Sequence, residues 1–332
     1  MKRLFLVVFA LSFAVFGNDD WKAIIMPNAS MYLYCGEKFC SDKRNVEDKG
    51  DGGKLEELRD SLGVGEERNK QYQGITSLLD CLGNLPSVKD NVKSFRMCDS
   101  FAVPKALAVA LEFKKPVELE DMKKLEEAKV KAASVKVAGL DALSLEPAEP
   151  AGCRFAAIPA DGGRQLLLVG WSDAEALAAR INPAKRAQLS PEMKYLTDAA
   201  KGDFSFCLEI TGKIRQKINE GASAKMATDP LQAMAIMKMA EMKGIMVDSN
   251  VVAGGLVLKL CFSSANAQGA NAFREQLLDG LVLPMAQNLA DNIAPGKIST
   301  ANMLASGIED KMAVLKVNLK DSDLTIIKET MK

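Results

Sequence analysis

The segment Met97–Phe113, MCDSFAVPKALAVALEF, lies over Met246–Phe262, MVDSNVVAGGLVLKLCF, at a constant offset of 149. Seven of the 17 positions are identical: Met97/Met246, Asp99/Asp248, Ser100/Ser249, Val103/Val252, Leu107/Leu256, Leu111/Leu260 and Phe113/Phe262. Chance gives roughly one such match, so the chain reads as a tandem duplication that must build one supersecondary unit twice. Two weaker matches extend it. Leu166–Leu177 pairs with Val314–Leu324 at an offset of 148, and Tyr32–Phe39 with Phe204–Thr211 at 172. The first copy is therefore 23 residues longer, and Asp48–Lys54, DKGDGGK, suits a surface insertion. The expected organisation is a first repeat over 18–182, a connector over 183–200 containing Pro183 and Pro191, and a second repeat over 201–332.

Periodicity supplies the elements of each copy. Tyr32–Cys35 and Phe204–Leu208 are short aromatic strands. Ile75, Leu78, Leu79 and Leu82 form one face of a helix. A hairpin is expected to turn at Asp99-Ser100 and at Asp248-Ser249, since these side chains close turns by bonding nearby backbone. Its second strand alternates, with Leu107, Val109, Leu111 and Phe113 in one copy and Leu256, Leu258, Leu260 and Phe262 in the other. Helices are expected at Leu119–Ala128 and at Ala265–Leu289, the latter kinked or ended by Pro284. Strands follow at Ser134–Leu145, Arg154–Ile158, Leu166–Trp171 and within Ile298–Leu319, and each copy closes with a helix capped by Ser172 or Asp173, or by Asp321. This order defines an α+β fold: two tandem diverged copies of a mixed, largely antiparallel sheet with helices packed on one face.

The N-terminus reads MKRLFLVVFALSFAVFG, with basic Lys2 and Arg3, an apolar run Leu4–Phe16 and a small residue at Gly17. That is the pattern of a cleaved secretory signal peptide over residues 1–17. The run is shorter than the roughly 20 residues a spanning helix needs, so a secreted or periplasmic chain without a transmembrane segment after cleavage is expected. The 43 basic and 43 acidic residues cancel, which gives no pull towards nucleic acid. Cys35, Cys40, Cys81, Cys98, Cys153, Cys207 and Cys261 are an odd set without metal-site spacing, best read as buried small side chains with one disulfide at most.

The chain of 332 residues has no histidine, which removes Ser-His-Asp and Cys-His catalysis and histidine-ligated metals. Ser41-Lys43, Ser87-Lys89 and Ser134-Lys136 lack the spacing that sets a lysine one helical turn from a serine nucleophile. Gly50–Lys54 and Thr211-Gly212-Lys213 lack the spacer of a phosphate loop, and Asp48, Gly50 and Gly52 lack the ligands of a calcium loop. Glu112, Glu118, Glu120 and Asp121 could pair as in a glycosidase, although acids at a helix start also complement its dipole.

Leu231–Val247, LQAMAIMKMAEMKGIMV, holds five methionines in spacings that suggest a Cu(I) site. If Asp229 and Pro230 open a helix, Met239 and Met242 fall at about 80° and about 20°, and Met234 and Met237 at about 300° and about 240°. The sulfurs do not converge. A packed helix is expected instead, with Met234, Met239 and Met242 mostly buried.

The leader, the two diverged copies and the closing strand-then-Asp-x-Asp-Leu pattern of Val317–Leu324 resemble uncharacterised secreted bacterial two-repeat α+β proteins of unknown function. That resemblance implies architecture and export, and it carries no catalytic, cofactor-binding or metal-ligating residue onto this chain. The functional expectation is an exported, non-catalytic protein, without a cofactor, that binds a protein or small-molecule ligand through a sheet face or between the copies. The alternatives are a histidine-free hydrolase using paired carboxylates on a cell-wall or sugar polymer, and a methionine-based soft-metal binding protein.

Overall fold

A computed structural model describes residues 30–40, 66–99, 107–178, 189–293 and 303–330. The leader, the Asp48–Lys54 insertion, Ser41-Lys43 and the link over 100–106 lie outside the described residues. Two compact units divide the chain between Lys194 and Tyr195.

The first unit carries β1 (Met31–Cys35), α1 (Glu66–Gly83), β2 (Val92–Asp99), β3 (Leu107–Phe113), a short helical stretch at Leu119–Ala128, β4 (Val130–Val137), β5 (Leu140–Pro147), β6 (Phe155–Ala160), β7 (Gln165–Gly170) and α2 (Ala174–Ala178). Its strands run in the order β1-β2-β3-β7-β6-β5-β4, every neighbour antiparallel. The alternation of β3 has the expected consequence, for Leu107, Val109, Leu111 and Phe113 share one face and are buried. Phe155, Leu166 and Leu168 stand on that face by register, and α1 packs against it with Ile75, Leu78 and Leu82 buried. Gly74 sets how closely the helix approaches: a Cβ there would sit 3.0 Å from Phe155 Cε2.

The strand expected over Ser134–Leu145 is instead a hairpin of β4 and β5, turning at Ala138 (φ 49°) and Gly139 (φ 83°). Two left-handed residues match the twist of paired strands, and alanine in the first place hides the usual sequence sign of such a turn.

The second unit carries α3 (Pro191–Ala199, shared with the boundary), β8 (Phe204–Glu209), α4 (Gly212–Lys225), α5 (Pro230–Glu241), β9 (Gly244–Val252), β10 (Gly255–Ser263), α6 (Ala267–Phe273), α7 (Leu283–Ile293), β11 (Leu304–Glu309), β12 (Met312–Lys320) and α8 (Asp321–Thr330). Its strand order is β11-β12-β10-β9-β8, again antiparallel throughout. The fold is thus α+β on antiparallel sheet, as its element order predicts.

Three expectations need correction here. Helices meet both faces of this sheet rather than one. Gly244 and Ser263 share a face, where Leu196 of α3 lies 2.6 Å from the position a Gly244 Cβ would take, whereas Phe262, on the other face, has its ring centroid 4.8 Å from that of Phe273 of α6.

Asp248 and Ser249 form no turn. They lie within β9, and the chain reverses at Ala253-Gly254 instead.

Pro284 does not end its helix: winding continues as α7, and it is the stretch before the proline, Arg274–Val282, that departs from α-helix and winds as a π-helix between α6 and α7. Wider winding just before a proline relieves the ring's clash with the carbonyl one turn back.

The closing helix is placed as expected. It begins at Asp321, and Lys320 N donates to Asp323 Oδ2 at 3.0 Å, a carboxylate satisfying a backbone amide at the helix start.

Candidate functional site

The α4–α5 helical pair is assembled by local chemistry. Thr211, read above as part of a defective phosphate loop, is the N-cap of α4 and accepts from Ile214 N. Ile214 and Ala222 are buried on α4, and α5 begins at Pro230, as Asp229-Pro230 predicts. Arg215 then ties the pair together, donating from Nε to Ala240 O at 2.7 Å and from its terminal nitrogen to Met242 O at 3.2 Å. A guanidinium on the last carbonyls of a helix satisfies orphaned acceptors and complements the dipole. Arg215→Ala is expected to cost about 1.5–3 kcal/mol locally. Hydrogen exchange would show it as faster exchange across 230–241, and unchanged protection there would contradict the tie.

The methionines of α5 do not pack as expected. Among its described side chains the buried ones are Ala233, Ala235 and Ala240, small side chains that let a helix sit close to its neighbours. Met242 and Met246 are buried and Met239 is half-buried, but Met234 is 59% exposed and Met237 40%, with Met226 at the end of α4 41% exposed. Met234 and Met237 stand three residues apart and so neighbour each other on the helix surface. Among the described residues the large exposed hydrophobics are Leu140, Met226, Met234, Met237 and Val252, so three of the five are methionines of this helical pair.

Charge accompanies it. Over 212–243 stand Lys213, Arg215, Lys217, Lys225, Lys238 and Lys243 against Glu220, Asp229 and Glu241, a balance of +3 in a chain that is neutral overall. Gly212, Arg215, Gln216, Asn219, Glu220 and Ser223, at helical spacing, line a shallow open groove along α4.

A second polar feature lies in the sheet. Ser205, Asp248, Lys259 and Lys316 oppose one another across β8, β9, β10 and β12 and so share a face. Asp248 is buried and accepts from Ser205 Oγ and, at 2.9 Å, from Gly202 N. Burial pushes its carboxyl above the ordinary aspartate range, which bonds from Ser205 and Gly202, the charge of Lys259 and a bond from Lys201 only partly offset. Asp203 Oδ2 accepts from Val251 N at 3.1 Å, so two carboxylates pin the start of β8 to β9. Further along, Glu309 accepts from Lys259 at 3.0 Å and pairs with Lys316 at 3.0 Å; burial alone would raise its carboxyl, but these bonds outweigh that and hold it low. Sequence reading missed Asp248 because aspartate beside serine signals a turn, and nothing in the residue types marks a buried strand.

Cys207, Met246 and Cys261 form the next row on the same face, all buried. Burial, with the charges of Asp248 and Glu309, pushes the Cys261 thiol up to about 12, so it stays protonated and unreactive. Cys81, Cys98, Cys153, Cys207 and Cys261 are free thiols.

Of the acids considered for glycosidase chemistry, Glu112, Glu120 and Asp121 are each held by a lysine. Glu112 on β3 bonds Lys93 at 2.6 Å and Ser94 at 2.9 Å and lies 3.8 Å from buried Arg96. Burial would raise it, yet those partners hold it below the usual glutamate range, the opposite of a general acid. Glu120 and Asp121 pair with Lys123 and Lys124 on an exposed helical turn. Lys136 pairs with Asp141 rather than with Ser134. Among the described residues, no group of three or more Cys, Asp or Glu could hold a metal ion, and no helix is long and apolar enough to cross a membrane.

No protein-family model matches the chain, and no curated protein matches it. Two solved structures resemble the fold, crystal forms I and III of TP0453. They align at TM-scores of 0.43 and 0.44 with 10% and 9% identity, covering 95% of this chain and 98% and 99% of that one. At those values the likeness carries no argument about activity or ligand.

Proposed function

We propose that this is an exported, non-catalytic binding protein whose α4–α5 pair docks an acidic protein surface with apolar patches. The observation that carries the reading is the exposed group Met226, Met234 and Met237. Thioether side chains are flexible and polarisable, which suits a surface that must mould to a partner. The +3 balance over 212–243 adds charge complementarity to an acidic patch. This reading puts docking on a helical pair, where the sequence suggested a sheet face or the space between the copies, and it takes export from the Lys2–Gly17 pattern.

A photo-crosslinking residue at position 234 in producing cells tests this. One discrete adduct is expected, lost when Met226→Lys and Met237→Lys are added; no adduct, or one indifferent to those changes, would retire the reading. The soft-metal alternative keeps one supporting observation, two exposed thioethers a turn apart at Met234 and Met237. Native mass spectrometry with Cu(I) showing no bound metal would remove it.

Two tandem copies remain the best account of the chain's origin. In the first unit β1-β2-β3-β7-β6 stand in the same relation as β8-β9-β10-β12-β11 in the second. The three sequence matches fall on β1/β8, on β2–β3/β9–β10 and on β7/β12. If 201–332 is one complete copy, that segment expressed alone should melt in a single cooperative transition, and a structureless fragment would argue against it.

A further inference from the structure

We infer that Met226, Met234 and Met237 form an oxidant-sensitive modification site, at which conversion of the thioethers to sulfoxides releases a docked partner while leaving the fold intact. Only the release rests on the docking proposed above; the selective modification does not. The argument is one of placement. These three sulfurs stand on side chains 40–59% exposed, whereas Met122, Met193, Met242, Met246, Met303 and Met312 are each under 10% exposed. A peroxide must reach the sulfur to react, so among the described residues reaction is fastest at these three, ahead of half-buried Met97, Met239 and Met285 and of the buried set.

In each event the sulfur lone pair attacks one peroxide oxygen. An S–O bond forms as the O–O bond breaks, the sulfur loses two electrons to the peroxide, and water leaves. An apolar side chain becomes a polar, chiral one. In a core that change would disrupt packing, but among the described side chains of α5 the buried ones are Ala233, Ala235 and Ala240, so Met234 and Met237 can change polarity without opening the helix pair. Three sulfoxides would, however, remove the apolar character of the surface that a partner reads.

The full-length purified chain treated with hydrogen peroxide, with modified peptides quantified by mass spectrometry, tests the first part. Met226, Met234 and Met237 are expected to oxidise roughly tenfold faster than Met242 and Met246, with a thermal midpoint that does not move while they do. Equal rates at exposed and buried positions, or loss of the folded signal in step with modification at Met234, would overturn the site. The second part is read in cells with the crosslinking residue at position 234. Peroxide applied before irradiation should abolish the adduct in the parent chain but spare it when Met226→Leu and Met237→Leu are present. Loss in both would overturn the release step, and selective oxidation with no adduct under any condition would overturn the docking reading while leaving the modification site standing.

Discussion

Replacing Asp248 with alanine is expected to lower the stability of the second unit by about 3–5 kcal/mol, since buried donors left unsatisfied cost about 1–3 kcal/mol each. The donors are Ser205 Oγ, Gly202 N and Lys201 N, which lose their shared acceptor at the start of β8. Gly202 is itself closely surrounded, since a Cβ there would meet Ser249 O, Asp248 Oδ1 and Phe204 O. The measurement is a urea titration, read as a fall in midpoint at unchanged slope. A loss below about 1 kcal/mol would mean that the clamp is dispensable.

The same carboxyl has a pH signature whose sign is set. Burial raises its folded-state pKa above the unfolded value near 3.8. The folded state therefore binds this proton more tightly, so the group's contribution is most favourable below the unfolded pKa and is lost as pH rises through the raised folded value. Compared with Asp248→Asn, which does not titrate, the parent chain should gain relative stability as pH falls from neutrality towards 4. A difference that moves against the parent over that interval would contradict the raised pKa.

Phe155→Ala in the first unit is expected to cost about 3–5 kcal/mol. Its ring is 1% exposed and lies against α1 at Gly74, so truncation opens a void that a helix and a sheet can only partly close. Gly74→Ala alone should also destabilise, by about 1–3 kcal/mol, since its methyl would press on Phe155 and on Cys153 Cβ at 3.1 Å. In the Phe155→Ala background the same methyl enters vacated space. The double variant should therefore be more stable than the sum of single losses, and strict additivity would mean that the two residues do not share a cavity.

Much of the architecture was legible wherever burial follows period. The rows Leu107 to Phe113 in β3 and Ile75, Leu78 and Leu82 in α1 announce their elements because one face is apolar and the other is not. Legibility fails where a residue type has two uses. Asp248 and Ser249 have the chemistry of a turn, and only their neighbours across β8 and β10 show that they are buried in a strand. Ala138 carries no sign of the left-handed backbone it adopts. Along α5, hydrophobicity suggested that Met234, Met239 and Met242 would be inside; Met242 is and Met239 half is, yet Met234 stands in water while Ala233 and Ala235 beside it are buried. An apolar side chain left in water looks, in a single sequence, the same as one taken into a core.

The registers of the two matched hairpins also differ. Met97 faces Val109, and an offset of 149 would set Met246 against Leu258; it faces Cys261, three residues further on. Because side chains alternate, an odd shift turns the second strand over, so Val109 shares a face with Met97 while Leu258 stands on the face away from Met246. Residues that coincide in the alignment thus occupy unlike surroundings. A substitution scan of β3 would misjudge tolerance in β10, and any consensus built by averaging the halves would place side chains on the wrong side of one sheet.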